Sequence, residues 1–182
     1  MLDVAVLGLL SEGPLHGYEL RKQLADRLAG RGPSYGSLYP TLKKLRESGF
    51  VAVSDETAAQ KLGGRSKVVY EVTAEGKERL AELLGEAGPS TWEDEAFGVH
   101  VAFFAQTDPA TRMRVLEGRR GRLIERREGM RSSLARTAQR MDRYTAELQQ
   151  HGLESVEREV RWLNELITTE LRHGTPEKRT SP

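Results

Sequence analysis

Hydroxyls, phenols and cations crowd one short stretch of this sequence. Within GPSYGSLYPTLKKLRESGF, residues 32–50, stand Ser34, Tyr35, Ser37 and Tyr39, followed by Lys43, Lys44 and Arg46. Hydroxyls exchange hydrogen bonds, and ammonium and guanidinium groups donate them while carrying charge, so the set suits a surface of phosphate oxygens. Leu38, Leu42 and Leu45 recur at helical spacing through the same stretch. A helix that buries those leucines presents the polar set on its open side, a face that an ordinary core helix does not need. Either Ser37 caps this helix, with Pro40 harmless in the first turn, or Ser34 caps it, with Pro40 in the second turn. Both choices put hydroxyls beside the positive end of the helix dipole, where anions are favoured.

A second cationic set follows. Val51 and Val53 alternate, as do Val68, Tyr70 and Val72, which predicts two antiparallel strands with one buried side. Lys61, Arg65 and Lys67 fall in the long polar tip between them, placed to lie along a sugar-phosphate backbone or enter a minor groove. Upstream, Val4, Leu7 and Leu10 mark one helix, and Tyr18, Leu20, Leu24 and Leu28 a second, each ended by Gly or Pro. Thr73 caps a later helix, AEGKERLAELL. Three helices and then a hairpin is the order of a winged helix-turn-helix. Double-stranded DNA explains both cationic clusters together, with residues 34–46 in the major groove and the 61–67 tip beside it. The alternative is a winged-helix protein-protein interaction module without specific DNA binding.

Catalytic chemistry has little to work with. His16, His100, His151 and His173 sit in four separate segments, and there is no cysteine. Ser11, Ser34, Ser37 and Ser54 lack a nucleophile-elbow context, and the glycines form no phosphate loop. The expectation is a protein that is not an enzyme, with no metal and no cofactor. Absence of cysteine fits a reducing compartment. The apolar start lacks a basic leader, and no run approaches the roughly 20 apolar residues of a membrane span, so a soluble, cytoplasmic protein with no membrane partner is expected.

The chain divides near GEAGPST, residues 85–91. Residues 1–85 form the expected winged helix-turn-helix domain, 90–173 a helical dimerisation domain, and 174–182 a disordered tail; the fold class is mainly α with a small β-hairpin wing. In WEDEAFGVHVAFF, the apolar side reads as Trp92, Phe97, Val101 and Phe104. Asp108 and Pro109 then open a helical run of about 40 residues, roughly 60 Å long. Its seam of Met113, Leu116, Leu123, Met130, Leu134, Met141, Tyr144 and Leu148, broken by Arg120 and Arg127, predicts a coiled-coil-like arm. In the last helix, LESVEREVRWLNELITTELR, the stripe Val156, Val160, Leu163, Ile167 and Leu171 is the expected homodimer seam. Net charge is +1 over the chain, but residues 112–143 hold 11 basic against 4 acidic side chains. Arg119, Arg120, Arg126 and Arg127 have three readings: surface cations paired with Glu117, Glu125, Glu128 and the acidic WEDE, a pocket for a small anionic effector, or auxiliary phosphate contacts with DNA.

Three blocks, GPLHGYEL, SYGSLYPTLKKLRESGFV and GGRSKVVYEVTAEGKERL, resemble the consecutive signature blocks of the PadR transcriptional regulators over residues 1–85. The resemblance implies a winged-helix homodimer that binds palindromic operators, often as a repressor released by a small molecule. Ser66-Lys67-Val68 departs from a run that is more often basic in that family, which implies a lighter grip by the wing. The length implies the larger subgroup, in which C-terminal helices dimerise.

Overall fold

The computed structural model describes residues 1–54, 68–137 and 140–174. They form two compact units, one of Met1–Glu86 with Asp94–Asp108, the other of Ala87–Glu93 with the chain from Pro109 onward.

The first unit is built around α1 (Leu2–Leu10), in which every residue from Val4 to Leu10 is buried. After Asp3 its sequence has no polar side chain, and a helix that is apolar all round must be enclosed on all sides. Three helices supply that cover: α2 (Gly17–Arg27) with Leu20 and Leu24, α3 (Tyr35–Glu47) with Leu38, Leu42 and Leu45, and α4 (Ala74–Gly85) with Leu80 and Leu84. Further cover comes from α5 (Asp94–Ala102) and the residue after it, Phe103. Gly8 of α1 makes room for the Phe103 ring, because a Cβ there would lie 2.6 Å from ring carbons. Gln106 closes the contact, donating to the Gly8 carbonyl at 3.2 Å and accepting from the Ser11 hydroxyl at 3.1 Å. The apolar side expected here is corrected. Phe97, Val99, His100 and Phe103 are buried, Val101 and Phe104 are half-buried, and Trp92 belongs to the second unit. The helix ends at Ala102 and tightens into a 3₁₀ turn from Phe104, which moves the buried face off a single helical stripe.

Three short strands, β1 (Leu15–His16), β2 (Val51–Ser54) and β3 (Val69–Val72), form an antiparallel sheet in the order β1-β3-β2. Val51 pairs with Val72 and Val53 with Tyr70, the hairpin pairing that the alternation predicts, while Leu15 pairs with Tyr70 from the other side. Two residues between a proline and a helix have no period to read, so β1 left no signal. The sheet is tied to the helices through backbone. Gly49, at φ 76°, ends α3 in the left-handed conformation that glycine tolerates. The Thr73 hydroxyl donates to the Gly49 carbonyl at 2.7 Å and accepts the Gly76 N–H at 3.0 Å, capping α4. Any side chain at Gly76 would place its Cβ 2.1 Å from the Phe50 carbonyl oxygen, so glycine is required for α4 to start this close.

The second unit pairs α6 (Pro109–Thr137) with α7 (Arg143–Gly174) in antiparallel fashion: Arg112 faces Glu170, and Arg131 faces Glu157. The expected 40-residue arm is therefore corrected to a helical hairpin. The Asp142 carboxylate accepts the N–H groups of Tyr144 at 2.9 Å and Thr145 at 3.0 Å, starting a new helix where the heptad pattern showed no break. α7 then runs through His151 and Gly152 without stopping. A helical glycine costs only about 1 kcal/mol relative to alanine, and Gly152 lets Met130 approach to where a Cβ would lie 3.0 Å from its methyl carbon. The expected dimer stripe is corrected in the same way. Val156, Val160, Leu163 and Ile167 are buried within the single chain, where α7 packs on α6, and only Leu171 of that set is exposed, at 58%. The expected tail from residue 175 lies outside the described residues. Among the described residues, no helix is long and apolar enough to cross a membrane.

His100 is buried in the first unit, and neither ring nitrogen has a hydrogen-bond partner among the described residues. Burial lowers its pKa below the ordinary 6.5, with Glu86 opposing. The unfolded chain then binds the proton more readily, so the stability contribution is present above the unfolded value and is lost as pH falls through it toward the folded value. Thermal unfolding followed by circular dichroism from about pH 7.5 to 5.5 should show the melting temperature falling on acidification. His100→Phe should flatten that fall.

Candidate nucleic-acid interface

The choice of cap for α3 is decided by geometry. The Ser34 side chain accepts the Ser37 N–H at 3.2 Å, and the Ser37 hydroxyl lies 3.1 Å from that of Ser34. Pro40 consequently sits inside the helix, beyond the first turn. Its missing N–H leaves the carbonyl one turn back without its usual helical donor. The Thr41 hydroxyl donates to the Ser37 carbonyl at 2.9 Å. Ser34, Tyr35, Ser37, Tyr39, Lys43, Lys44 and Arg46 are all exposed, while Leu38, Leu42 and Leu45 on the opposite side are buried. One helix thus carries the core contact on one face and the polar set on the other.

The cations on this face remain available. Lys43 lies 3.8 Å from Glu47 one turn on, with both side chains mostly exposed; such a surface pair contributes about 0–1 kcal/mol and yields readily to a stronger anion. Tyr70 of β3 links the face to the sheet. Burial raises its pKa, with Tyr39 adding to the rise and Arg46 opposing it. Lys61, Arg65 and Lys67 lie outside the described residues.

One residue of α2, Arg21, which carries no sequence signal of its own, adjoins this face. Tyr18 is exposed, and the Arg21 guanidinium covers the ring of Tyr35 at 4.3 Å from its centroid. The place of Tyr18 in the helical apolar stripe predicts the core, and the structure instead leaves it exposed.

The arginine cluster of α6 is more structural than its composition suggests. Arg119 is only 5% exposed. It donates to Glu159 Oε1 through Nε at 2.8 Å and to the Trp92 carbonyl at 2.6 Å. The Trp92 ring in turn lies over Gly118, where a Cβ would be 2.1 Å from it. Arg119 is therefore corrected from an open anion ligand to a buried tie between α6, α7 and the 3₁₀ turn Pro89–Trp92. Arg127 pairs with its neighbour Glu128 at 2.8 Å, and Glu93 is taken by Arg122 at 2.6 Å. Arg120 reaches the Asn164 side-chain oxygen at 3.5 Å, and Arg126 is exposed. Among the described residues no group of three or more acidic or histidine side chains could hold a metal ion.

The chain matches the model of the transcriptional regulator PadR-like family over residues 6–82. It is 33% identical over 98 residues to the negative transcriptional regulator PadR of Bacillus subtilis (strain 168), covering 52% of each chain. To the transcriptional regulator YqjI of Escherichia coli (strain K12) it is 33% identical over 82 residues, 44% of this chain and 36% of the other. The chain thus spans about half or less of the length of these curated relatives. Among solved structures, Bacillus subtilis PadR in complex with operator DNA aligns over 93% of this chain and 98% of its own, at 22% identity and a TM-score of 0.44.

Arg119→Ala removes the donor that serves the Trp92 carbonyl and leaves the part-exposed Glu159 carboxylate without this partner, so it should cost about 1–3 kcal/mol in urea unfolding. Arg126→Ala, at an exposed position, should change stability by no more than about 0.5 kcal/mol.

Proposed function

We propose that the chain, which matches the model of the transcriptional regulator PadR-like family over residues 6–82, is a member of that family and a non-catalytic, sequence-specific DNA-binding transcriptional regulator. The observation that carries the proposal is the exposed face of α3. A helix whose start is capped by Ser34 and whose open side holds Ser37, Tyr39, Lys43, Lys44 and Arg46 has the donors and charge that a DNA groove requires. Lys61, Arg65 and Lys67 complete the reading as backbone or minor-groove contacts of the hairpin. The name of the Bacillus subtilis relative, a negative regulator, supports repression as the mode of action. A cytoplasmic location follows from the same reading. A small anionic effector belongs to it through Arg120 and Arg126, which have no carboxylate within ion-pair distance among the described residues.

Binding to a duplex that the protein itself selects from a random pool, followed by fluorescence anisotropy, tests the reading. The selected duplex should bind about a thousandfold or more tighter than random duplex at physiological salt. No preference would instead favour a winged helix that contacts only other proteins. Lys43→Ala should weaken binding to every sequence and reduce the log–log salt slope by about 0.9.

A homodimer on a palindromic operator is part of this proposal, but its seam differs from the stripe that α6 buries. Tyr144 and Leu148, one turn apart on α7, are 83% and 69% exposed. Trp162, two heptads after Leu148, continues the same flank and is also exposed. A second copy seated on that flank would offer two α3 helices to half-sites about 34 Å apart. Light scattering at micromolar protein should give a dimer mass, and Tyr144→Asp with Leu148→Asp should give a folded monomer. Leu163→Asp should unfold the α6–α7 pair instead.

A further inference from the structure

Two residues one turn apart on α2 bracket two tyrosines one turn apart on α3. At one end the Arg21 guanidinium lies 4.3 Å from the Tyr35 ring centroid. Tyr35 and Tyr39 then stack on each other, with centroids 6.1 Å apart and planes within 11°. At the other end stands Gly17, where a Cβ would lie 3.2 Å from the Tyr39 hydroxyl oxygen and 3.3 Å from Cε1. The order is Arg21, Tyr35, Tyr39, Gly17. Glycine at the last place lets the backbone itself serve as the stop.

The cost of the arrangement shows that it is specific. Arg21 Nε is buried without a hydrogen-bond partner among the described residues. An arginine in an ordinary solvated setting would keep all its donors satisfied, so attraction to the ring face must offset the loss. The tyrosines are not core residues, since Tyr35 and Tyr39 are 48% and 45% exposed. Half-exposed tyrosines on a helix would otherwise exchange among rotamers. Held in a stack, they present one fixed pair of phenols on the face proposed to enter DNA.

We propose that Arg21 and Gly17 are positioning residues for sequence readout, which hold Tyr35 and Tyr39 pre-ordered in the unbound protein. This deepens the DNA-binding reading and rests on it. Side chains that are mobile before binding lose affinity when they are ordered at an interface, and a clamp in the unbound state removes that loss. The benefit falls on contacts that need a defined geometry, those to base edges and thymine methyl groups. Non-specific attraction to phosphates depends on charge and gains nothing from it.

Arg21→Lys separates the two roles, because it keeps the charge and discards the planar stacking surface. Wild type, Arg21→Lys, Tyr35→Leu and their double variant are titrated against the duplex selected by wild type and against random duplex. Arg21→Lys should bind the selected duplex about tenfold more weakly, with random-duplex affinity and salt slope unchanged. The double variant should be no weaker than Tyr35→Leu alone, as for residues acting as one unit. Gly17→Ala, which presses on Tyr39 from the other end, should reproduce the loss on selected duplex only. Wild-type affinity in both Arg21→Lys and Gly17→Ala, equal losses on both duplexes, or additive losses in the double variant would overturn the inference. A wild-type protein that selects no duplex would overturn the DNA-binding reading itself, an outcome distinct from these.

Discussion

Enclosing α1 is the constraint on which the first unit depends. Seven consecutive residues, Val4 to Leu10, are buried, so no side of that helix can face water. α2, α3, α4 and the segment ending in Phe103 each contribute cover, and the rotation of α3 about its axis follows from what it contributes. Burying a leucine is worth about 1.5–3 kcal/mol, and α3 buries three. The exposed Lys43–Glu47 pair is worth about 0–1 kcal/mol and could not turn the helix against them. The polar face points outward because the leucines point inward.

A second set of contacts gives the sheet a defined place beside that helix. Gly49, Phe50, Thr73 and Gly76 connect the end of α3 to the start of α4 through backbone and hydroxyl hydrogen bonds, and β2 and β3 leave from the same junction. Backbone hydrogen bonds fix geometry more tightly than side-chain packing, since they involve no rotamers. Under the proposed DNA-binding function, the helix and the hairpin must hold a constant spacing to read one site together. This junction holds the start of the hairpin at a fixed distance from α3, and on α3 itself the stack of Arg21, Tyr35 and Tyr39 orders the exposed side chains.

The second unit uses charge differently. Its arginines make α6 strongly basic in sequence, yet much of that charge is matched across the helical hairpin, by Glu170 at Arg112, Glu159 at Arg119 and Glu157 at Arg131. Arg119 is buried, its partner Glu159 is part-exposed, and the guanidinium holds a backbone carbonyl as well, so its geometry is demanding. Pairs of this kind set the register of one helix against the other while contributing less net stability than the apolar seam of Val156, Val160, Leu163 and Ile167. Regional charge alone could not reveal this, because acids on α7 lie far along the sequence from the arginines they meet.

By itself the sequence determined helices α1 to α4, the buried leucines of α3, the exposed set from Ser34 to Arg46, the β2–β3 pairing and the Thr73 cap. Each of these is a local pattern: a period of 3.6 or 2, or a hydroxyl before a helix. Tertiary structure alone decided which serine caps α3, the third strand β1 and the membership of α5 in the first unit. It also decided the break at Asp142, the burial of the expected dimer stripe within one chain and the tie at Arg119. An apolar stripe tells that something covers it and not what, so α6 of the same chain and a second copy read alike in sequence. The bracket of Gly17 and Arg21 about Tyr35 and Tyr39 was hidden for the same reason. Its spacing is legible on each helix, but the meeting of the two requires the packing that α1 imposes.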